Sequence, residues 1–355
     1  MSNYPLSYKL SWLPRFLKPS LDGDAAGFAP MAATLMAPRP GRTVRLAFIG
    51  DISQVANGSA PDCAPALKAL LGSADLVIGN CESPVVTRPS AAFGTKLGTR
   101  HAMTPGFLAQ ALAATGIERG KLVLSLANNH VLDQGIAGFE ETVAALKRLG
   151  IRTIGLAADG PVRAVETGPL RVGFAAFTLW RNADEGLFTG RVSMDGELAA
   201  CPRDDLDLLC AVPHWDWEFR HFPRAGTRAL ARRLAGRGVG LIAGHHAHVV
   251  QPVERMGDTV VAYGLGDFLG TALARQPWPG RIGGIFVADV SADAETPGAI
   301  ASYRLHPFVR LRAGDHERLV PAEALERRMR GKVERRLGAV FPFPPAREGG
   351  REAAG

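Results

Sequence analysis

Cysteine is scarce in this chain of 355 residues, which has four cysteines and no pair at the CxxC spacing. So few thiols exclude a disulfide-stapled scaffold and favour reduced cysteines. Long apolar runs are missing too. The candidate span at residues 25–38 has 14 uncharged residues and contains proline and glycine, whereas a membrane span needs about 20 apolar residues. The first twenty residues do not resemble a secretory signal. We therefore expect a cytoplasmic protein without a transmembrane segment.

Lysine is also scarce, with 7 lysines beside 34 arginines, and the net charge of the chain is +7. A basic excess fits a nucleic acid, a membrane surface or an anionic substrate. Here the excess lies near the C-terminus, because residues 301–355 have 12 basic and 7 acidic side chains. The remaining residues have 29 basic and 27 acidic side chains. We therefore expect no nucleic-acid partner.

The composition changes along the chain and divides it into three predicted parts. Residues 1–42 form an N-terminal arm in which apolar and basic residues alternate and Pro14 interrupts any helix. This arm is either a foot on a membrane surface or a segment that packs on its own domain or on a neighbouring subunit of a homo-oligomer. Residues 43–310 are predicted as one domain, and residues 311–355 as a basic helix with a frayed tail.

Short apolar runs between residues 43 and 265 predict buried strands, and amphipathic segments between them predict helices. Thr104 and Pro105 suit a helix start, and Gly150 and Gly238 suit helix ends. Strands that alternate with helices indicate an α/β fold whose sheets are covered on both faces. The predicted strands are Val44–Ile49, Leu76–Ile78, Leu122–Leu126, Arg171–Thr178, Leu208–Val212, Val239–Ile242 and Thr259–Tyr263.

Six of these strands are followed by carboxylate, carboxamide or imidazole side chains, often beside glycine. Ligands of α/β sheets bind outside the carboxyl ends of the strands, so these side chains should meet in one crevice. Burying so many polar groups together is costly without a metal ion. The residues are Asp51, Asn80, Glu82, Asn128, Asn129, His130, Asp133, His214, Asp216, Glu218, His245, His246, His248 and Asp267.

The mixture of oxygen and imidazole donors without thiolates suits Zn, Mn or Fe. Side chains alternate in an extended segment, so His246 and His248 should share one side and His245 should point away. The candidates outnumber the ligands that one tetrahedral ion needs, which favours two divalent ions bridged by a carboxylate. Such pairs polarise an ester and generate a metal-bound hydroxide.

The motifs at these strand ends resemble those of the CapA family, which is associated with capsular poly-γ-glutamate synthesis and belongs to the calcineurin-like metallophosphoesterases. The similarity covers roughly residues 44–290. The motifs are Gly50-Asp51, Asn80-x-Glu82-x-Pro84, Leu126-Ala-Asn-Asn-His-x-x-Asp133-x-Gly135, His214-Trp-x-x-Glu218, Gly244-His-His-x-His-Val-Val-Gln251 and Tyr263-x-Leu-Gly-Asp-Phe268. The resemblance implies a four-layer α/β/β/α sandwich with its site at the carboxyl edge of the sheets.

The resemblance also implies roles for individual residues. One metal ion would lie among Asp51, Glu82 and His248, and the other among Asn129, His214 and His246, with Glu82 as the bridge. His130 resembles the histidine that protonates the leaving group, and Asp133 would orient it. Substrate contacts are expected from Asn80, Glu218, Arg100 and Asp267.

Three departures from the family pattern bear on these expectations. Ser53 stands where the superfamily usually has a histidine, so one of the two ions should be weakly held or absent. Asp216 and Asp267 replace the common Gly and Asn, and they serve as further ligands, as groups behind the ligands, or as charges that repel an anionic substrate. We also expect no N-terminal membrane anchor of the kind that many members have, which weakens an inference to surface-polymer assembly.

Three functions agree with the sequence. The first is a metal-dependent hydrolase of a phosphoester or related anionic substrate, with attack by metal-bound hydroxide and His130 as general acid. The second is a CapA-like protein that binds or cleaves γ-glutamyl chains. The third is a binding scaffold whose metal site has degenerated.

Overall fold

The computed structural model describes residues 2–89, 101–194, 205–273 and 275–342. These residues form two β-sheets flanked by helices. In chain order the strands are β1 (Ala32–Thr34), β2 (Thr43–Ile52), β3 (Asp62–Cys63), β4 (Leu76–Cys81), β5 (Leu122–Ser125), β6 (Arg152–Ile154), β7 (Arg163–Thr167), β8 (Leu170–Thr178), β9 (Leu208–His214), β10 (Leu241–Ala243), β11 (Val253–Met256), β12 (Thr259–Ala262), β13 (Asp267–Leu269), β14 (Ile282–Ser291), β15 (Ile300–Ala313) and β16 (His316–Pro321).

The α-helices of the described residues lie between these strands and at both ends of the described chain. They are α1 (Leu6–Leu17), α2 (Pro65–Gly72), α3 (Pro105–Thr115), α4 (Gly135–Arg148), α5 (Glu185–Phe188), α6 (Ala225–Gly236) and α7 (Arg327–Gly338). The helix predicted to begin at Thr104 and Pro105 is present as α3. The Thr104 hydroxyl caps it by accepting a hydrogen bond from the Phe107 backbone N–H at 3.1 Å. None of the helices in the described ranges is long and apolar enough to cross a membrane.

The larger sheet has the order β3-β16-β15-β14-β2-β4-β5-β6. Its β2, β4, β5 and β6 are parallel, so their carboxyl ends lie at the same edge. Strand β13 adds to β2 in parallel and places Asp267 opposite Asp51. In the smaller sheet, ordered β11-β12-β10-β9-β8-β7, the central strands β8, β9, β10 and β12 are parallel.

The two sheets pack face to face, and the alternation of side chains along β8 shows how. Phe174 belongs to the core shared with Leu46 and Phe48 of the larger sheet. Phe177 points the other way and packs with Leu230 of α6. Helices α2, α3 and α7 add their buried faces to the core of the larger sheet. The layers are therefore helix, sheet, sheet and helix, which confirms the α/β/β/α expectation.

The predicted boundary at residue 310 falls inside β15, which runs from Ile300 to Ala313. Strand β16 pairs with β15 from residue 316 onward, and Val333 and Leu337 of α7 are buried in the main core. Residues 311–342 are thus part of the main sandwich. The predicted tail beyond residue 342 lies outside the described residues.

The arm packs against its own domain, through a helix that the sequence did not predict. Pro14 lies inside α1, which continues to Leu17, so the expectation that Pro14 interrupts any helix was wrong. Proline has no N–H, so Pro14 cannot donate the helical hydrogen bond to the carbonyl oxygen of Leu10. Leu10 is 72% exposed. Water can replace a donor at such a position.

Candidate metal centre

The carboxyl ends of the parallel strands bring the predicted ligands together. Asp51 lies near the end of β2, and His214 is the last residue of β9. His246 and His248 follow β10 in a segment with positive backbone φ values of 81° and 51°, which turns both side chains into the crevice. His245 points away, and its Nε2 lies 3.0 Å from the Ile49 carbonyl oxygen.

Three carboxylates and one imidazole form what we call the acidic half of the centre: Asp51, Glu82, Asp267 and His248. Their ligand atoms lie within 4.8 Å of one another, and all four residues are buried. His248 Nδ1 lies 2.5 Å from Asp267 Oδ1 and 3.6 Å from Asp51 Oδ2. His248 Nε2 lies 3.5 Å from Glu82 Oε1. This arrangement offers a divalent ion several anionic oxygens and one nitrogen.

Two imidazoles and one carboxamide form what we call the nitrogen half: His214, His246 and Asn129. His214 Nε2 lies 2.7 Å from Asn129 Oδ1 and 3.1 Å from His246 Nδ1. The same Nε2 lies 3.9 Å from Glu82 Oε1. Glu82 Oε1 therefore lies between the two halves, at a position suited to a bridging carboxylate.

Buried atoms without hydrogen-bond partners show that these residues fit metal ions. Glu82 Oε1 and His246 Nε2 are both buried and have no hydrogen-bond partner among the described residues. Such atoms cost free energy unless something else binds them. The donor set of carboxylates, imidazoles and a carboxamide is one that Mn, Fe and Zn accept. The chemistry of the two halves thus agrees with divalent cations as the missing partners.

The two halves differ in how readily their histidines are protonated. For His248, burial lowers the pKa, but the carboxylates of Glu82 and Asp267 outweigh burial and raise it well above its usual value. For His214 and His246, burial and neighbouring imidazoles lower the pKa well below its usual value. These shifts favour the neutral form of both imidazoles, which is the form that binds metal ions.

The pKa of the Glu82 carboxyl group is also shifted. Burial, with the nearby charge of Asp51, raises the pKa of its carboxyl group to about 8 against the opposing effect of His248. A divalent ion reverses this effect, because its charge favours the carboxylate form.

His130 and Asp133 lie at the side of the centre, where α4 begins. His130 Nδ1 lies 2.6 Å from Asp133 Oδ2. Burial opposes protonation of His130, but the Asp133 carboxylate outweighs it and raises the pKa of the imidazole. Asp133 Oδ2 also accepts a hydrogen bond of 3.0 Å from the His101 backbone N–H. The pair is thus held in the geometry of a histidine oriented by a carboxylate.

The remaining predicted site residues have the following positions. Asn80 Nδ2 donates to Asp51 Oδ1 at 2.7 Å, so Asn80 orients a ligand. Glu218 Oε1 lies 3.9 Å from His246 Nε2, on the outer side of the nitrogen half. Asp267, expected as a substrate contact, lies inside the acidic half. Arg100 lies outside the described residues.

Asp216 is separate from both halves. Its Oδ1 accepts from Arg224 Nε at 2.8 Å, and its Oδ2 accepts from the Arg224 backbone N–H at 3.1 Å. It has a positive φ of 63°, so it forms a turn that is fixed by an arginine. Of the two carboxylates that depart from the family pattern, Asp267 belongs to the centre and Asp216 supports the loop after β9.

Several residues of the centre were missed because they stand outside the strand-end motifs. Arg310 is fully buried in β15, and its Nη2 donates to Asp267 Oδ2 at 2.9 Å. An arginine between buried apolar residues of a strand was the available signal for this role. His101 stacks on His130 with ring centroids 3.8 Å apart. Asn182 Oδ1 accepts from Asn129 Nδ2 at 3.3 Å. Neither His101 nor Asn182 has a distinguishing sequence pattern.

A cavity of about 850 Å³ opens onto the centre. Asn129, His130, Glu218 and His248 line its inner side. The opposite side is lined by residues of the arm. The centre is therefore reached through a space large enough for a small organic ligand.

Comparisons with solved structures give distant likenesses. One is a phosphatase from Mycoplasma pneumoniae, with a TM-score of 0.45 and 13% identity, covering 76% of this chain and 94% of that one. Another is a 5′-nucleotidase from Candida albicans, with a TM-score of 0.44 and 11% identity, covering 79% of this chain and 52% of that one.

Comparisons of sequence identify closer relatives and a family. The PGA biosynthesis protein CapA of Bacillus subtilis is 25% identical over 218 residues, which is 57% of this chain and 55% of CapA. A probable polyglutamine synthesis accessory protein of Mycobacterium tuberculosis is 29% identical over 171 residues, 41% of this chain and 44% of that one. The chain thus spans about half the length of the curated relatives it matches. The family model for bacterial capsule synthesis proteins, PGA_cap, matches residues 45–272, more than half of the chain, so this protein belongs to that family.

Proposed function

We propose that this protein is a metal-dependent hydrolase that cleaves a phosphoester or a related anionic substrate at a dinuclear centre. The observation that carries the proposal is the position of Glu82 Oε1, a buried acceptor without a hydrogen-bond partner, between His248 Nε2 at 3.5 Å and His214 Nε2 at 3.9 Å. The acidic half would hold one divalent ion and the nitrogen half the other. Bound there, the ions would supply Lewis-acid polarisation of the ester and activation of water.

The protein's own residues would orient the ligands and move the proton. Asn80 fixes Asp51 through its hydrogen bond of 2.7 Å. Asp267 accepts from His248 Nδ1–H, and Arg310 in turn holds Asp267, so the ring of His248 is fixed with Nε2 toward Glu82. His130, with its raised pKa, would carry a proton into the cavity and donate it to the leaving-group oxygen.

A screen of esters tests this function. The protein, supplied with Mn, Zn, Fe or Mg, would be assayed with phosphomonoesters, phosphodiesters and γ-glutamyl peptides. We expect hydrolysis of at least one phosphoester that is lost with a chelator and restored by the ion. Glu82→Gln should abolish this hydrolysis, whereas Glu118→Gln, which changes an exposed carboxylate outside the centre, should not. Hydrolysis that survives in Glu82→Gln contradicts the proposal.

A second candidate is a protein that binds or cleaves γ-glutamyl chains. It is favoured by the family match and by the similarity to the PGA biosynthesis protein CapA of Bacillus subtilis. The same screen separates the two, because cleavage of γ-glutamyl peptides without phosphoesterase activity supports the second candidate over the first.

A further inference from the structure

The arm covers the metal centre with aromatic side chains, in a part of the chain that the family model does not include. That model begins at residue 45. The Tyr4 ring stacks on the Trp180 ring with centroids 4.9 Å apart and lies 6.1 Å from the His246 ring. Tyr8 stacks on Tyr4 with centroids 4.6 Å apart. A row of rings thus extends from the arm to a predicted ligand.

Helix α1 also contacts the centre through hydrogen bonds. Trp12 Nε1 donates to Glu218 Oε2 at 2.5 Å. Arg15 Nε donates to the Glu218 carbonyl oxygen at 2.9 Å. The other carboxylate oxygen of Glu218 faces His246 Nε2 at 3.9 Å. The arm therefore positions a carboxylate beside the nitrogen half.

The orientation of α1 is unusual for a helix that serves only as an anchor. It buries Tyr8, Arg15 and Phe16. Its leucines at positions 6, 10, 13 and 17 are 56–72% exposed. An anchoring helix is expected to bury its leucines and expose its polar residues. Of the buried side chains, Tyr8 lines the cavity, whereas Phe16 packs on Phe219 and Val249 of the domain. The inward face of α1 therefore both anchors the arm and contributes to the cavity lining.

The cavity combines this aromatic side with further apolar residues around the predicted proton donor. Tyr4, Tyr8 and Trp12 line it from the arm, and Leu132 and Leu273 line it from the domain. Small-molecule sites of this kind bind apolar or planar groups on such walls and orient polar groups at a few fixed positions. Here the fixed polar positions are those of the metal centre.

We propose that residues 2–17 form the substrate-binding wall of the site, and that the substrate has an apolar or planar organic group next to its phosphoryl group. This inference rests on the proposed phosphoester function. A γ-glutamyl oligomer has a carboxylate on each residue and no apolar group of this size, so it does not fit the wall. The wall would bind the organic group while the centre binds the phosphoryl oxygens.

Phosphonates test the wall without requiring turnover. Binding of phenylphosphonate, hexylphosphonate and methylphosphonate to the Mn-loaded chain of 355 residues would be measured by calorimetry. We expect phenyl- or hexylphosphonate to bind about tenfold more tightly than methylphosphonate, as contact with an aromatic wall implies. A preference for the phenyl compound identifies a planar group, and a preference for the hexyl compound identifies an alkyl group.

Variants of the arm complete the test. Tyr4→Ala should reduce the preference for phenyl- or hexylphosphonate over methylphosphonate to about twofold, whereas Tyr4→Phe should retain the preference because it keeps the ring. Leu10→Ala is the matched control, since Leu10 lies on the exposed face of α1. Three outcomes would contradict the proposed substrate-binding wall. They are equal binding of the three phosphonates, an unchanged preference in Tyr4→Ala, and tighter binding of a γ-glutamyl pentamer.

The two proposals fail in different ways. Hydrolysis of phosphoesters with equal binding of the phosphonates contradicts the wall and leaves the hydrolase standing. Selective phosphonate binding without hydrolysis of any phosphoester contradicts the hydrolase and supports the wall as a binding surface.

Discussion

The two halves of the centre offer a metal ion different charges. The acidic half has three carboxylates around His248, and the buried Arg310 balances part of their charge at Asp267. The nitrogen half has two imidazoles and a carboxamide. Its nearest carboxylate oxygens are Glu82 Oε1, 3.9 Å from His214 Nε2, and Glu218 Oε1, 3.9 Å from His246 Nε2. We infer that the acidic half binds its ion first and that the nitrogen half prefers ions with high affinity for imidazole.

This comparison changes the interpretation of Ser53. The resemblance to the CapA family predicts that one of the two ions is weakly held or absent, because Ser53 stands at a position that usually has a histidine. In the structure β13 pairs with β2 so that Asp267 lies opposite Asp51. An additional carboxylate therefore lies beside Asp51 in the acidic half, so by charge we expect the nitrogen half to be the weaker site.

Removing the Glu82 carboxylate, which both halves share, should have the largest effect on metal content and activity. Glu82→Gln replaces an anionic bridge by a neutral amide in both halves. We expect the content of bound metal to fall below about 0.2 ions per chain and phosphoesterase activity to fall by about 10³-fold or more. Metal analysis after desalting, with Glu118→Gln as control, measures this. Two retained ions in Glu82→Gln would contradict a bridging role.

Removing an imidazole should affect one half alone. His246→Ala deletes a ligand of the nitrogen half and leaves the acidic half intact. We expect about one ion per chain to remain and activity to fall by about 10²-fold. Metal analysis and steady-state kinetics of the same preparation measure both effects. Loss of both ions would show that the two halves bind cooperatively and are not independent.

Removing the proton donor should leave both halves filled. His130→Ala is expected to lower kcat by about 10²-fold for an alkyl phosphate, and less for a nitrophenyl phosphate whose leaving group needs no proton. Metal content should be unchanged. Equal losses for both esters, or unchanged activity for both, contradict the role of general acid.

The number of protons released on metal binding should also differ between the two halves, and this is the smallest of the expected effects. At pH 7 the raised pKa values of His248 and Glu82, the latter about 8, favour a bound proton in the acidic half of the chelator-treated protein. Filling that half expels the proton, so its metal affinity should rise as the pH rises toward 8. The lowered pKa values of His214 and His246 predict no such release from the nitrogen half. Calorimetry in two buffers of different ionisation enthalpy measures the protons released in each step.

The residues of the centre that could be predicted from the sequence are those that directly follow a predicted strand. Asp51, His214 and His248 follow apolar runs, and parallel strands bring such positions to one edge. Asp267 was found for the same reason, although its place in the acidic half depends on the pairing of β13 with β2.

Contacts between segments far apart in sequence could not be predicted in this way. Arg310 reaches Asp267 from a strand of the antiparallel part of the larger sheet. Trp12 reaches Glu218 across 206 positions of sequence. Each of these contacts depends on how whole elements pack, and hydrophobic periodicity contains no information about that packing. Pro14 further concealed α1, because proline ordinarily argues against a helix.

A metal titration of the chelator-treated protein tests the central claim most directly. Calorimetry with Mn or Zn, followed by metal analysis, should show about two ions per chain in two steps of different affinity. The tighter step should disappear in Asp51→Asn and the weaker step in His214→Ala. A single step of about one ion per chain that both substitutions weaken equally, or no binding at all, would contradict a centre with two distinct halves.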